Sequence, residues 1–232
     1  MTRGYGWRSL TVGRKMEQPP HARVPLLQCV VAKNRDVTCK LAGDGVFKVR
    51  LLRRRIDKSN SFSGSTFDWI KEIPKKVACF VWRAKIGRIP AAVELNKRGV
   101  IPDQNIMCNR CNLEDEGVDH ILTSCPFAKT VMRGVLQWCG INNKSFDTVS
   151  EVLDYAAGWG NCPKKRRTLL SILHGTLWSI WKARNNWVFN NRRIPPTTVA
   201  NITKSTVFLW IKYRRTRGDS CIWSNWCANP LM

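Results

Sequence analysis

Apolar residues recur at helical spacing along most of the chain. The clearest stripe contains Val77, Phe80 and Val81, which share one face of a helix. Pro74 before the stripe suits a first helical turn, and Gly87 after it suits a C-cap. The pattern therefore predicts a helix between Pro74 and Gly87.

The same period predicts further helices, while strand signals are weak and internal repeats are not apparent. The predicted fold class is therefore mainly α. The further helices are expected at residues 90–99, 126–140, 149–157 and 164–189, and after the break at Pro195 and Pro196. In the last helix Thr197 or Thr198 is expected to be the cap, and the apolar side is expected to hold Val199, Ile202, Leu209, Trp210 and Tyr213.

Pattern and composition divide the chain into five segments. Residues 1–43 are basic, carry scattered glycines and prolines without a sustained period, and are predicted to be mostly disordered. Residues 44–66 are predicted to form a short helix and a Ser-rich linker. Residues 67–140 hold a helical hairpin and a cysteine cluster, residues 141–218 form basic helices, and residues 219–232 form a tail.

Positive charge dominates the composition, with 39 Lys and Arg against 16 Asp and Glu and a formal net charge of +23. A field of this sign attracts polyanions, which makes nucleic acid the first partner to consider. Charge alone does not separate this partner from an acidic protein or a membrane surface, or from a basic surface that only maintains solubility.

The sequence contains no apolar run long enough to cross a bilayer and no ordered signal peptide in its first thirty residues. We therefore expect a protein of the nucleus or cytoplasm, with no membrane partner. In such a reducing compartment the ten cysteines are mostly thiols, and cysteines at ligand spacing indicate a metal site.

One group has that spacing: Cys108, Cys111, His120 and Cys125 form the pattern C-x2-C-x8-H-x4-C. Three thiolates and one imidazole complete a tetrahedron suited to zinc and leave no position for an activated water. The sequence thus predicts one structural zinc ion, held in a knuckle within a small helical domain that precedes the long basic helices.

Two alternatives to zinc are a chance C-x-x-C beside a core histidine and a disulfide pair. The other cysteines, among them Cys79, Cys139 and Cys162, form no second tetrad and are interpreted as ordinary residues. His174 lies on the apolar side of the longest predicted helix, where a packed histidine is favoured over a ligand.

Acidic residues are concentrated inside the tetrad loop, at Glu114, Asp115, Glu116 and Asp119. Such a surface repels phosphates at close range. The loop is therefore expected to be a scaffold or a protein-contact surface, and nucleic acid is expected to bind elsewhere.

Residues 155–218 contain no Asp or Glu and many basic residues, with aromatic residues between them. The aromatics could stack on unpaired bases, but the periodicity favours core packing for Trp181 and Trp210. The basic residues are therefore predicted to be the main nucleic-acid contacts. They are Lys164, Lys165, Arg166, Arg167, Arg192, Arg193, Lys212, Arg214 and Arg215.

Catalytic motifs are missing from the sequence. No carboxylate cluster could hold the two divalent ions of a polymerase or nuclease. A Gly-rich phosphate loop, G-x-S-x-G and H-E-x-x-H do not occur either. We therefore expect no enzymatic activity and no small-molecule substrate.

Several motifs resemble the reverse transcriptase zinc-binding domain of plant non-LTR (LINE-type) retrotransposons. The residues that carry this resemblance are the lead-in Trp69–Pro74, the run Val77–Arg83, Arg88-Ile-Pro90, the tetrad with Asp119-His120-Ile-Leu, and Cys125-Pro126-Phe127-Ala128. The resemblance implies that residues 67–140 are this domain and that Cys108, Cys111, His120 and Cys125 bind zinc. Family members usually follow an entire polymerase domain, so the chain looks like a separated tail of a retroelement polyprotein.

Three functions agree with these observations. The first is an accessory module that binds RNA or DNA through the basic C-terminal half. The second is a structural or protein-interaction module, with the reverse transcriptase domain of the same element as a possible partner. The third is a relic of an inactive element.

Overall fold

The helical period of the sequence is present in the computed structural model of the protein, which describes residues 30–33, 36–39, 67–215 and 222–231. The fold class is mainly α, as predicted. Within the described ranges the elements are β1 (Val30–Lys33), β2 (Asp36–Cys39), α1 (Lys75–Lys85), α2 (Ala92–Asn96), α3 (Pro126–Trp138), α4 (Val149–Ala157), α5 (Pro163–Asn190), α6 (Pro196–Arg214) and α7 (Trp223–Ala228).

The two strands form an antiparallel pair in which Val30 lies opposite Cys39. The sequence analysis did not predict these two strands within segment 1–43, and the other residues of that segment lie outside the described ranges. Val30, Val31, Val37 and Thr38 are β-branched and favour extended backbone. The predicted helix and linker of residues 44–66 lie outside the described residues.

The chain divides between Thr66 and Phe67 into two units, and the candidate site lies in the second. The helices before and after residue 140 share one hydrophobic core in that unit. None of the helices in the described ranges is both long and apolar enough to span a bilayer.

Helices α1 and α2 occur within the predicted ranges, but α2 is shorter than the sequence indicates. Gly87 and Gly99 have φ of +67° and +68°, which fits their predicted role at helix ends. The backbone N–H groups of Ala92 and Val93 donate to the side chain and carbonyl of Glu116. Because Glu116 occupies these first donors, α2 begins at Ala92.

The central element is α5, which is buried around most of its circumference between Thr168 and Ala183. It packs against α1, α4, α3 and α6. His174 is 1% exposed and its Nδ1 lies 2.8 Å from the Leu170 carbonyl oxygen. The interpretation of His174 as a packed histidine is confirmed.

The start and the buried face of α6 differ from the prediction. Pro195 is the N-cap residue, and no side chain caps the helix. Ile202, Leu209 and Tyr213 are exposed, whereas the buried residues of α6 are Val199, Ala200, Thr203, Val207, Phe208 and Ile211. Thr203 can be buried because its hydroxyl donates to the Val199 carbonyl, a pairing that the hydrophobic pattern does not reveal.

The predicted tail contains a helix, α7, that the sequence analysis missed. Its Trp226 is 3% exposed and packs edge-on against Trp138 of α3, with ring centroids 5.1 Å apart. The indole N–H of Trp138 donates to the Trp226 carbonyl. These tertiary contacts stabilise a helix that is too short to form alone.

Candidate metal centre and basic surfaces

Two backbone turns bring the four predicted ligands together. Cys108 and Cys111 lie on a turn closed by the Asn112 N–H and the Cys108 carbonyl, 2.8 Å apart. His120 begins a single π-helical turn, and the Cys125 N–H donates to the His120 carbonyl at 2.7 Å. This wide turn places two ligands five positions apart on the same side.

The ligand atoms of Cys108, Cys111, His120 and Cys125 all lie within 4.8 Å of one another. A tetrahedral zinc site with Zn–S bonds of about 2.3 Å has ligand-to-ligand distances of about 3.8 Å. Three sulfurs and one imidazole nitrogen are also the donor set that zinc prefers. The residues present therefore fit a zinc ion without rearrangement of the backbone.

The orientation of His120 is set by Glu114. His120 Nδ1 lies 2.8 Å from Glu114 Oε2, and His120 Nε2 lies 3.2 Å from Cys111 Sγ. A carboxylate on Nδ1 holds the proton there and directs the Nε2 lone pair toward the sulfurs. Glu114 thus acts on the centre from outside the tetrad.

The cysteine thiols of the tetrad influence each other. A hydrogen bond with Cys125 and burial raise the pKa of the Cys108 thiol to about 12. The same hydrogen bond lowers the pKa of Cys125. The raised pKa means that the Cys108 thiol keeps its proton without a metal, and a divalent cation would compete with that proton.

Two further carboxylates of the tetrad loop, those of Glu116 and Asp119, also have structural partners. Glu116 is 2% exposed and forms an ion pair with Arg184 of α5, with Arg184 Nε 3.1 Å from Glu116 Oε2. Asp119 Oδ1 accepts from the Val149 N–H at the start of α4, at 2.8 Å. These contacts support the interpretation of the loop as a scaffold.

Further contacts join the turn of the first two cysteines to the C-terminal end of α5. The indole N–H of Trp187 donates to the Asn109 carbonyl at 3.3 Å. Arg110 donates to the Ile194 carbonyl at 2.7 Å, and its guanidinium lies 3.3 Å from the centre of the Phe127 ring. The tetrad thus lies against the long helix.

Residues 50–131 match the family described as zinc-binding in reverse transcriptase. This match covers about a third of the chain and contains all four ligands. It begins before the predicted boundary at residue 67 and ends inside α3. No curated protein and no solved structure matches the chain.

The structure divides the predicted nucleic-acid residues into two groups at opposite ends of α5, which is about 40 Å long at 1.5 Å per residue. Arg192 and Arg193 follow the C-terminal end of α5. The other group is defined here as the basic end. It consists of Lys164, Lys165, Arg166 and Arg167 in α5 together with Lys212, Arg214 and Arg215 at the end of α6.

Two arginines of the basic end donate hydrogen bonds within the protein. Arg166 donates to the carbonyls of Trp159 and Gly160, at 3.2 and 2.7 Å. Arg215 donates to Thr168 at 2.8 Å, and its Nε lies 3.9 Å from Glu72. By contrast, Lys165, Arg167, Lys212 and Arg214 are exposed and are the better candidates for phosphate contacts.

The aromatic residues of α5 mainly contact protein. Trp181 is 7% exposed, which confirms its predicted packing, and Trp210 of α6 is partly buried against the core. Trp178 packs edge-on against Phe80, with centroids 5.2 Å apart. Trp187 lies under Arg193, whose guanidinium is 4.2 Å from the ring centre.

The sequence analysis did not identify Glu114, Arg110 or Arg184 as contributors to the centre. Glu114 is close to the tetrad in sequence, so an acidic residue inside the loop was an available signal. Arg184 lies 68 positions from Glu116, and no local pattern indicates that pair. Cys79 and Cys162 are exposed and Cys139 is buried, and no second group of metal-ligand residues occurs in the described ranges.

Proposed function

We propose that this chain is an accessory module of a LINE-type retroelement reverse transcriptase, stabilised by zinc, that binds RNA or DNA through its basic end. The family match and the tetrad support the zinc-binding part of this proposal. The observation that carries the nucleic-acid part is the convergence of two basic helix ends, tied together by Arg215 and Thr168.

In this proposal one zinc ion has a structural role. Cys108, Cys111, His120 and Cys125 would fill its coordination, and such a site supplies folding energy without activating water. The ion pair between Glu116 and Arg184 then holds the loop in a fixed position against α5. The module itself carries no catalytic step.

The basic end supports nucleic-acid binding because its exposed cations belong to a stretch, residues 155–218, that contains no Asp or Glu, and because Glu72 beside Arg215 is buried. Lysine and arginine contacts to phosphates release condensed counterions, so the affinity should fall steeply with salt. The carboxylates of Glu114, Glu116 and Asp119 in the zinc loop are used in protein contacts and do not need to face the backbone phosphates.

Fluorescence anisotropy with labelled RNA and DNA oligomers over a salt series tests this proposal. We expect binding at low salt and a linear fall of log K with log salt concentration. Lys165→Gln with Arg167→Gln should weaken binding and reduce the slope by about 2. The matched control Lys97→Gln with Arg98→Gln, in the hairpin, should change both quantities less. Undetectable binding at low salt would refute the proposal.

A second candidate, a protein-interaction module, is favoured by an apolar groove between the zinc loop and α5. Its lining includes Leu95, Ile101, Met107, Val188 and Phe189, and the Phe189 side chain is 74% exposed. Exposed apolar residues in one groove are typical of a protein contact. Retention of the reverse transcriptase domain of the same element after nuclease treatment, and its loss in Phe189→Ser, would support this candidate.

A further inference from the structure

A second cleft lies next to the basic end. It has a volume of about 540 Å³ and is formed by the segment before α1, the end of α4 and the first turns of α5. The residues that line it are Asp68, Trp69, Ile70, Lys71, Glu72, Ala157, Arg166, Arg167 and Leu170. An aromatic residue and three cations thus face one concave space.

Trp69 is held in place but not covered. Its ring packs edge-on against Phe67 with centroids 5.1 Å apart, and Phe67 packs in turn against the buried His174 at 5.8 Å. The side chain of Trp69 is nevertheless 60% exposed. Lysine or arginine lies over the rings of Trp187, Phe208 and Tyr213, whereas no cation of the described residues covers Trp69.

The charges around the cleft favour an anionic ligand. Arg167 is exposed, and no carboxylate of the described residues pairs with Arg167 or Lys71. Two carboxylates also line the cleft, Asp68 and the buried Glu72, and Arg215 offsets the charge of Glu72. The cleft therefore combines an open aromatic face with a net positive surround that continues into Lys165.

We propose that this cleft binds an unpaired base of single-stranded nucleic acid, with the base stacked on Trp69 and the adjoining phosphates held by Arg167 and Lys71. This proposal rests on the proposed nucleic-acid binding and specifies its substrate class as a single strand. An aromatic face accepts any unpaired base, while basic side chains track the backbone.

A duplex cannot use the cleft in this way, because both faces of each internal base are already stacked. Duplex binding would then depend on the cations alone. Stacking of one base on an aromatic side chain corresponds to a change in affinity of about 5- to 100-fold on alanine substitution. The aromatic contribution to affinity should thus be specific to single strands.

The experiment measures the affinity of wild-type protein and variants for a labelled 12-nucleotide single strand, as RNA and as DNA, and for the matched duplex. Trp69→Ala should lose about 5- to 100-fold in single-strand affinity and little in duplex affinity. Trp69→Phe should retain most of the single-strand affinity. Trp82→Ala is the matched control, since Trp82 is 41% exposed on α1 and does not line the cleft.

Circular dichroism and zinc content establish that each variant is folded before the comparison. If Trp69→Ala keeps the single-strand affinity of wild type, the cleft assignment is wrong. Binding by the wild-type protein would still support the proposed function in that case. An equal loss for single strand and duplex also overturns it, because stacking is then not the cause. Absence of wild-type binding to any of the nucleic acids overturns both proposals.

Discussion

Glu114 is the residue outside the tetrad that most directly affects the metal centre, because its carboxylate holds His120 Nδ1 at 2.8 Å. Loss of such a partner typically lowers metal affinity by about 10- to 100-fold. We predict a loss of this size in Glu114→Gln, measured by competition with a chromophoric chelator.

Asp115→Asn is the matched control for Glu114→Gln. Asp115 is an exposed neighbour of the same charge, and its backbone, not its side chain, pairs with Met107. Its substitution should leave zinc affinity within about twofold of wild type. An equal effect of both substitutions would show that general loop charge, and not the orientation of His120, determines the affinity.

His174 gives the fold a defined pH dependence. Burial lowers the pKa of His174 to about 4, against 6.5 for the ordinary group. The unfolded chain therefore binds the proton more readily than the folded chain. The contribution of neutral His174 to the free energy of unfolding is fully present above about pH 6.5 and is lost as the pH falls toward 4. The full loss is about 3 kcal/mol.

Urea unfolding at saturating zinc, from pH 7 to pH 5, tests the His174 prediction. In His174→Leu the free energy of unfolding should fall less steeply over this range than in wild type. Titration of the zinc ligands occurs in both proteins and cancels in the difference. Parallel pH profiles for the two proteins would contradict the prediction.

At the scale of elements, α5 and α6 approach each other closely at Gly175. A Cβ atom at this position would overlap Cγ2 of Val207. Gly175→Ala should therefore lower the free energy of unfolding by about 1–3 kcal/mol, despite the higher helix propensity of alanine. Thermal or urea unfolding measures the change.

Gly134 in α3 provides the comparison for Gly175. A Cβ at Gly134 would lie 4.0 Å from Cβ of Ala200, an ordinary contact. Gly134→Ala should raise the free energy of unfolding by about 0.5–1 kcal/mol through helix propensity. Destabilisation by Gly134→Ala would mean that α3 and α6 pack more closely than described. Absence of destabilisation by Gly175→Ala would mean that the α5–α6 crossing is looser than described.

Local signals in the sequence were sufficient to predict the bounds of several helices and the ligands of the metal centre. The bounds predicted for α4 agree with the structure. The Thr148 side chain caps the helix by accepting from the Glu151 N–H, and the Glu151 carboxylate accepts in turn from the Asp147 N–H. Pro126 likewise marks the start of α3. The tetrad was found because its ligands lie within eighteen positions and two short turns bring them together.

Other features depend on contacts between distant residues and could not be predicted from a local pattern. Helix α7 is stabilised by Trp138, which lies 88 positions from Trp226. The pairing of Glu116 with Arg184 spans 68 positions. The buried face of α6 includes Thr203, whose hydroxyl has a backbone partner and so does not mark the core in a hydrophobic pattern.

At the scale of the second unit, the tetrad loop, α4 and α5 form one connected structure. Asp119 connects the loop to α4, and Glu116 connects it to Arg184 of α5. A buried ion pair such as the latter is strongly destabilising when one partner is lost. Release of zinc should thus affect helices far from the ligands in sequence.

The measurement that tests the central claim most directly is the zinc content of the purified protein, determined by plasma mass spectrometry without chelator. We predict close to one zinc ion per chain in wild type and in Cys162→Ser, whose cysteine is exposed and outside the tetrad. Cys111→Ser should lose the ion and unfold less cooperatively. Wild-type protein without zinc, or Cys111→Ser with a full complement, would contradict the account.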